Sequence, residues 1–285
     1  IDFHCKAKSK QVKRRCLVHN RETFSLREVV AMVLPMNSKL LLISVILTLG
    51  CLPLQAEELT IAVASNFARP MDALVADFEE STRHHLNVSY GSSGRLYAQI
   101  INGAPFHLFF SADQEKPDAL EQTGQAVKGS RFTYATGALV LWSANSELSL
   151  ADGEALRGQQ VERLALANPR LAPYGVAAMQ VLQTMGLDSD YNERLVRGEN
   201  INQAYQFVNT GNAQAGFVAL SQVFENGSIE KGSGWIVPSN LYDPIRQDVV
   251  LLNNGSNNQA AKEFLDFITS RDAQAVIADY GYIAD

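Results

Sequence analysis

Several times along this chain an apolar run of strand length gives way to a short polar turn and then to apolar residues at helical spacing. This repeated unit restricts the fold more than any other feature. Leu59 to Ala64 reads as a buried strand ending at Ser65-Asn66, after which Phe67, Met71, Leu74, Val75 and Phe78 recur along one helix face. Pro70 is tolerated only near a helix start, so that helix begins close to Phe67. Val88 and Tyr90 end a second strand, Gly91 to Gly94 form its turn, and Leu96, Ile100 and Ile101 mark a short helix stopped by Gly103 and Pro105. Ser93 is its expected N-cap. Phe106 to Phe110 is the third strand, closed by Ser111-Ala112-Asp113 and followed by a helix over 114–122. Alternation at these lengths calls for a parallel sheet with helices on its faces, whose ligands collect beyond the carboxyl ends of the strands.

From Ala138 the pattern begins again. A strand over 138–143 and another over 164–167 lead to the turn Asn168 to Pro173 and a helix from about Tyr174 to Met185, with Gly186 as its stop. The turn Glu199-Asn200-Ile201-Asn202 opens a further helix that ends at Gly211. Strands are expected over 215–219, 235–237 and 248–252, and two helices starting near Gln259 and Asp272 close the chain.

The first 56 residues stand apart from this pattern. Met36-Asn-Ser-Lys39, the apolar run Leu40 to Leu49 and Leu54-Gln55-Ala56 read as a secretory signal peptide over 36–56, cleaved after Ala56. Its apolar core is too short for a lasting membrane anchor. Gly50-Cys51 offers an alternative, a lipid-bearing cysteine, although Thr48 and Leu49 fit that pattern poorly. Residues 1–35 form an upstream segment that is not fold material. The remainder, from Glu57, carries 15 basic against 27 acidic residues, a net charge of −12, which argues against a nucleic-acid partner. Cys5, Cys16 and Cys51 all precede the expected cleavage point, so the mature chain forms neither disulfides nor a thiolate metal site.

Several chemistries find no support. Gly91-Ser-Ser-Gly-Arg95 lacks the last glycine of a nucleophile elbow, and only His84, His85 and His107 could act as imidazole bases in the mature chain. His84-His85 is expected in water. Neither glycine-rich turn is followed by Lys-Ser or Lys-Thr, so no phosphate-binding P-loop is present. What remains is a polar turn at successive helix starts: Ser65-Asn66, Ser92-Ser93, Tyr174-Gly175 and Asn200-Ile201. Each alone could be an ordinary capped helix. Together their open amides and hydroxyls suit a small oxyanion held by dipoles, since none of the turns carries Lys, and Arg95 and Arg170 are expected in solvent. Such a site prefers a fully ionised tetrahedral dianion, because an anion that retains a proton also needs an acceptor. Asp72 and Asp113 are the nearest acids, and both have ordinary helix or loop explanations.

Five stretches in this order, Ala64-Ser-Asn-Phe-Ala68, Gly91 to Ile100, Gly103-Ala-Pro105, Leu108 to Asp113 and Ala215 to Ala219, resemble the periplasmic molybdate-binding proteins of molybdate ABC transporters. The likeness runs from about Leu59 to the C-terminus. It implies an α/β, bilobal periplasmic-binding-protein fold of type II, two sheet-and-helix lobes joined by two crossover hinge strands with the ligand in the cleft. The crossings fall near Thr136 and Asp243, so that 57–136 plus 244–285 make lobe 1 and 137–243 lobe 2. The positions matching the family's ligand contacts are Asn66 supported by Ser65, Ser93 with Ser92 as the alternative, Tyr174, and Ile201 through its backbone amide. Some members place a Tyr on the oxyanion where this chain has Ala219, which leaves Asn66 and Tyr174 to supply the missing donor. The resemblance further implies a monomeric, non-enzymatic periplasmic protein without cofactor or metal cation, which takes molybdate or tungstate and hands it to a membrane permease. The residues themselves leave two alternatives open, another anion such as sulfate, phosphate or a small organic acid on the same fold, and an exported serine hydrolase.

Overall fold

A computed structural model describes residues 56–283 apart from positions 159 and 226. The upstream segment 1–35, Cys51 and all of the expected leader except its last residue lie outside the described residues. Among the described residues no helix is long and apolar enough to cross a membrane.

Two five-stranded sheets organise the chain. In the first, β1 (Glu58–Ala64) runs parallel to β2 (His85–Gly91) on one side and to β3 (Leu108–Phe110) on the other. Beyond β3 lie β12 (Ile245–Leu251) and β4 (Phe132–Gly137), each antiparallel to its neighbour. In the second sheet, β6 (Leu164–Ala167) is parallel to β7 (Leu195–Gly198) and to β8 (Ala215–Ala219), while β5 (Leu139–Ser143) and β11 (Ser233–Ile236) extend the sheet antiparallel. A small hairpin, β9 (Phe224–Glu225) with β10 (Ser228–Ile229), stands beside it.

The sheets are therefore mixed rather than wholly parallel, and the departures have one cause. Only Ala138 separates β4 in the first sheet from β5 in the second, and the chain returns along β12 after β11. Segments that pass between sheets run against the strands joined by helical crossovers, and antiparallel pairing needs no crossover helix of its own.

Each sheet is covered by helices whose apolar stripes the sequence already displays. Helix Ala68–Ser81 buries Met71, Leu74 and Phe78, and these meet Phe110, Phe264 and Ile277 in one core. Each such side chain contributes roughly 1.5–3 kcal/mol on leaving water. Phe67, at the end of the first turn, lies edge-on to Tyr134 and Tyr282 at 4.8 and 5.2 Å, so the C-terminal segment is packed under the turn after β1. The second core gathers Leu139, Leu141, Leu166, Phe217 and the inner face of helix Pro173–Thr184.

His84 departs from its expected place in water. Its side chain is buried: Nδ1 accepts the Glu57 N–H at 3.2 Å, Nε2 lies 3.1 Å from a Glu263 carboxylate oxygen, and the ring stacks on Phe78. The reason is the short connection, since the helix ends at Ser81 and β2 starts at His85, which folds His84 beneath the last helical turn. His85 points outward beside Glu79.

Candidate functional site

The carboxyl ends of the parallel strands deliver four helix starts to one place. β1 runs into a single helical turn, Ser65–Phe67, before the longer helix. β2 runs into helix Ser93–Ile101, β6 reaches helix Pro173–Thr184 through the turn after Ala167, and β7 leads into helix Ile201–Asn209. Ser65, Asn66, Ser92, Ser93, Tyr174 and Ile201, the residues singled out from sequence, all line one small, nearly closed cleft. All six are nearly buried. Ala64, Gly91, Ala112, Ala172 and Pro173 complete the wall, so among the described residues no Asp, Glu, Lys or Arg lines it.

Main-chain donors converge there. Asn200 is the N-cap of its helix, with its side-chain oxygen accepting the Gln203 N–H at 3.0 Å, which leaves the amides of Ile201 and Asn202 open. The N–H groups of Ser65, Asn66, Ser93, Tyr174 and Ile201 find no protein acceptor among the described residues. Pro173 sits at the first helical position before Tyr174, where its missing N–H costs nothing.

The hydroxyls divide differently from the sequence expectation. Ser92, not Ser93, occupies the N-cap position, and its side chain makes no capping bond. Ser92 Oγ is buried and unpartnered, which is unfavourable unless something in the cleft takes its proton. Ser93 Oγ accepts the Ala112 N–H at 2.9 Å, so its own proton is free to point into the cleft. Ser93 is already the first helical residue, and its oxygen is engaged by the Ala112 amide instead of a capping bond. Both serines thus present a donor.

Asn66 presents its main chain rather than its side chain. Nδ2 donates to Gln247 Oε1 at 2.7 Å and to the Tyr282 hydroxyl at 3.0 Å, which accounts for both amide protons. The Asn66 carbonyl accepts from Ser221 Oγ at 2.7 Å and from the Tyr282 hydroxyl at 2.9 Å. Gln247, Tyr282, Tyr134 and Ser221 form a buried polar network behind the cleft that sequence reading missed. The available signal was Gln247 itself, an uncharged polar residue leading into the apolar run Val249 to Leu252. Ala219, at the end of β8, is buried and outside the cleft wall.

The tyrosines behind the cleft stay neutral. Burial is the main reason that Tyr134 and Tyr174 titrate well above the ordinary phenol range, with the nearby Tyr282 hydroxyl adding to it, and burial raises Tyr282 as well. Unfolding frees these phenols to lose protons from about pH 10, whereas the folded state keeps them, so stability is expected to fall as pH rises past about 10. Chemical unfolding at stepped pH measures this. A flat profile between pH 9 and 11 would contradict it.

The sheets also touch across the cleft. Gly94 N–H donates to the Leu171 carbonyl at 2.8 Å, and Arg95 Nη1 lies 2.5 Å from Glu199 Oε1. On the other flank Arg69 donates to the Ser221 carbonyl at 3.2 Å and pairs with Glu225 at 3.1 Å. Arg95 and Arg69 are thus half-exposed ties between the two sheet-and-helix units rather than groups aimed at the cleft. Asp72 is bound by the Tyr90 hydroxyl, and Asp113 by Ser111 and Lys116.

A neutral, donor-lined cleft between two sheet-and-helix units is the geometry of a solute-binding site. The chain belongs to the bacterial extracellular solute-binding protein family, whose model matches residues 59–283. It is 49% identical over 228 residues to the molybdate-binding protein ModA of Azotobacter vinelandii, covering 80% of this chain and 90% of that protein. ModA of Rhodobacter capsulatus is 46% identical over 234 residues, covering 82% and 91%. Among solved structures, the Azotobacter vinelandii periplasmic molybdate-binding protein matches with a TM-score of 0.77 at 40% identity, covering 80% of this chain and 99% of that one.

Proposed function

We propose that this protein binds molybdate, and tungstate of the same charge and shape, as a monomer in the periplasm, and hands it to the membrane permease of an ABC transporter. The observation that carries the reading is the lining of the cleft. Unpartnered amides from four helix starts, together with the hydroxyls of Ser92 and Ser93, converge on a space that contains no side-chain carboxylate. Helix starts concentrate partial positive charge, so a dianion is stabilised without a formal counter-ion. A carboxylate acceptor for a retained proton is missing, which disfavours a protonated oxyanion. The names of the relatives at 49% and 46% identity support molybdate as the particular dianion.

Each side of the cleft supplies part of the donor set, Ser65 to Ser93 from the first sheet and Tyr174 with Ile201 from the second. A bound anion therefore favours the closed arrangement by the donors it can reach only there.

Thermal unfolding of ligand-stripped protein with molybdate, tungstate, sulfate and phosphate tests the reading. Anion at a thousand times its Kd adds about 4 kcal/mol to the native state, a shift of several degrees for a chain of this size. A shift confined to molybdate and tungstate is expected; one confined to sulfate or phosphate would replace the ligand. Ser93→Ala removes one charge-assisted donor and is expected to weaken molybdate binding by about 2 kcal/mol, read by calorimetry. Unchanged affinity would move that role to Ser92.

A further inference from the structure

The buried network behind the cleft has a direction, and one residue transmits it across the two sheets. Gln247 is fully buried on β12, one of the two segments that run between the sheets. Its Oε1 accepts from Asn66 Nδ2 at 2.7 Å and from the Tyr134 hydroxyl at 3.0 Å. Its Nε2 donates to the Tyr174 hydroxyl at 3.3 Å. It therefore holds a side chain from each side of the cleft with the two ends of one amide.

The proton directions follow from the acceptor at the start of the chain of bonds. The Asn66 carbonyl can only accept, and it takes the Tyr282 hydroxyl proton at 2.9 Å. The Tyr282 oxygen is then an acceptor toward Asn66, which turns Nδ2 to that side. Asn66 Nδ2 in turn requires an acceptor at Gln247, so Gln247 presents Oε1 to Asn66 and its NH2 to Tyr174. A reversed Gln247 amide would set donor against donor at Asn66. The Tyr174 oxygen accepts from Gln247 while its own proton is turned to the Tyr282 hydroxyl, so Tyr174 is held in the network by both its lone pair and its proton. Gly137, the last residue of β4, leaves the necessary space: a Cβ there would lie 2.1 Å from the Tyr174 hydroxyl and 2.6 Å from Gln247 Nε2.

We propose that Gln247 is a positioning residue for the anion site: by donating to Tyr174 while accepting from Asn66, it fixes the helix start that carries the Tyr174 amide and couples the two sides that must close on the anion. The inference rests on the oxyanion reading above. Gln247 does not line the cleft, and Asn66 keeps its Tyr282 bond when Gln247 is replaced, so the effect on affinity passes mainly through Tyr174.

A double-mutant cycle separates this from a merely structural role. Molybdate affinity is measured by titration calorimetry for the wild type, Gln247→Leu, Tyr174→Phe and the double variant, with the melting temperature of each ligand-free protein alongside. Gln247→Met is the second variant, keeping the chain length without an amide if Leu impairs folding. Gln247→Leu is expected to weaken binding about tenfold in the wild-type background and less than threefold in the Tyr174→Phe background. Equal losses in both backgrounds, or no loss in either, would overturn the role assigned to Gln247. Failure of the wild type to bind molybdate would instead overturn the ligand assignment, and the cycle is then run with whichever of tungstate, sulfate or phosphate it does bind. Binding of none of the four would overturn both.

Discussion

Gly175→Ala is expected to lower the melting temperature of the ligand-free protein by roughly 6–12 °C, the shift that a loss of about 3 kcal/mol produces in a chain of this size. Gly175 lies in the first turn of helix Pro173–Thr184, where the helix meets the end of β6. A Cβ there would sit 2.1 Å from the Ala167 carbonyl oxygen and 2.9 Å from the Pro169 nitrogen. Both obstacles are main-chain atoms, so no rotamer change relieves the contact, and the helix start has to back away from the sheet. The better helix propensity of alanine, about 1 kcal/mol over glycine, offsets only part of this. Tyr174 travels with the same turn, so the stabilisation by molybdate should shrink as well. Calorimetric melting with and without the anion reads both effects, and a variant that melts within a degree or two of the wild type would show that the turn yields easily.

Gly94→Val should leave the ligand-free protein as stable as the wild type and still weaken molybdate binding by about 3 kcal/mol, near a hundredfold. Gly94 is the second residue of helix Ser93–Ile101, and its N–H reaches across the cleft to the Leu171 carbonyl at 2.8 Å. A Cβ at this position would lie 3.0 Å from that oxygen and 3.1 Å from the Leu171 Cα. Alanine would crowd the contact, and the two γ-carbons of valine would hold the sides apart. Within its own helix the substitution removes glycine's propensity penalty, so the folded state does not suffer. What falls is the share of molecules able to close, and apparent affinity falls by the same factor. Stopped-flow release rates would show the difference from Ser93→Ala: Gly94→Val acts on closure and Ser93→Ala on a single donor. Undiminished affinity would mean that the Gly94 contact plays no part in the bound state.

These two glycines differ from Ser93 in a way that bears on what a sequence can display. Ser93 is visible as chemistry, a hydroxyl after a strand and before a helix. Gly175 and Gly94 look like ordinary turn residues, and both have backbone conformations open to any residue. Their constraint comes from what stands opposite, Ala167 in one case and Leu171 in the other. Sequence separation explains the other omissions too. Asn66 is legible as a site position, but nothing local shows that its amide protons go to Gln247 and Tyr282, the latter 216 residues away. His84 looked like half of a solvent-facing pair until the C-terminal helix Gln259–Ile268 brought Glu263 to it.

The sequence by itself determined the repeated strand, polar turn and helix, the helix faces, and the four helix starts whose amides must seek a partner outside the helix. These are local properties, set by apolar periodicity and by the geometry of a helix end. Only the tertiary structure decided that the four starts share one cleft, that Ser92 is left without a partner while Ser93 is engaged by Ala112, and that Gln247 joins Asn66 to Tyr174. The physical reason is that hydrogen-bond satisfaction of a buried group depends on what the fold places opposite it, and those partners come from strands and helices far away in the chain.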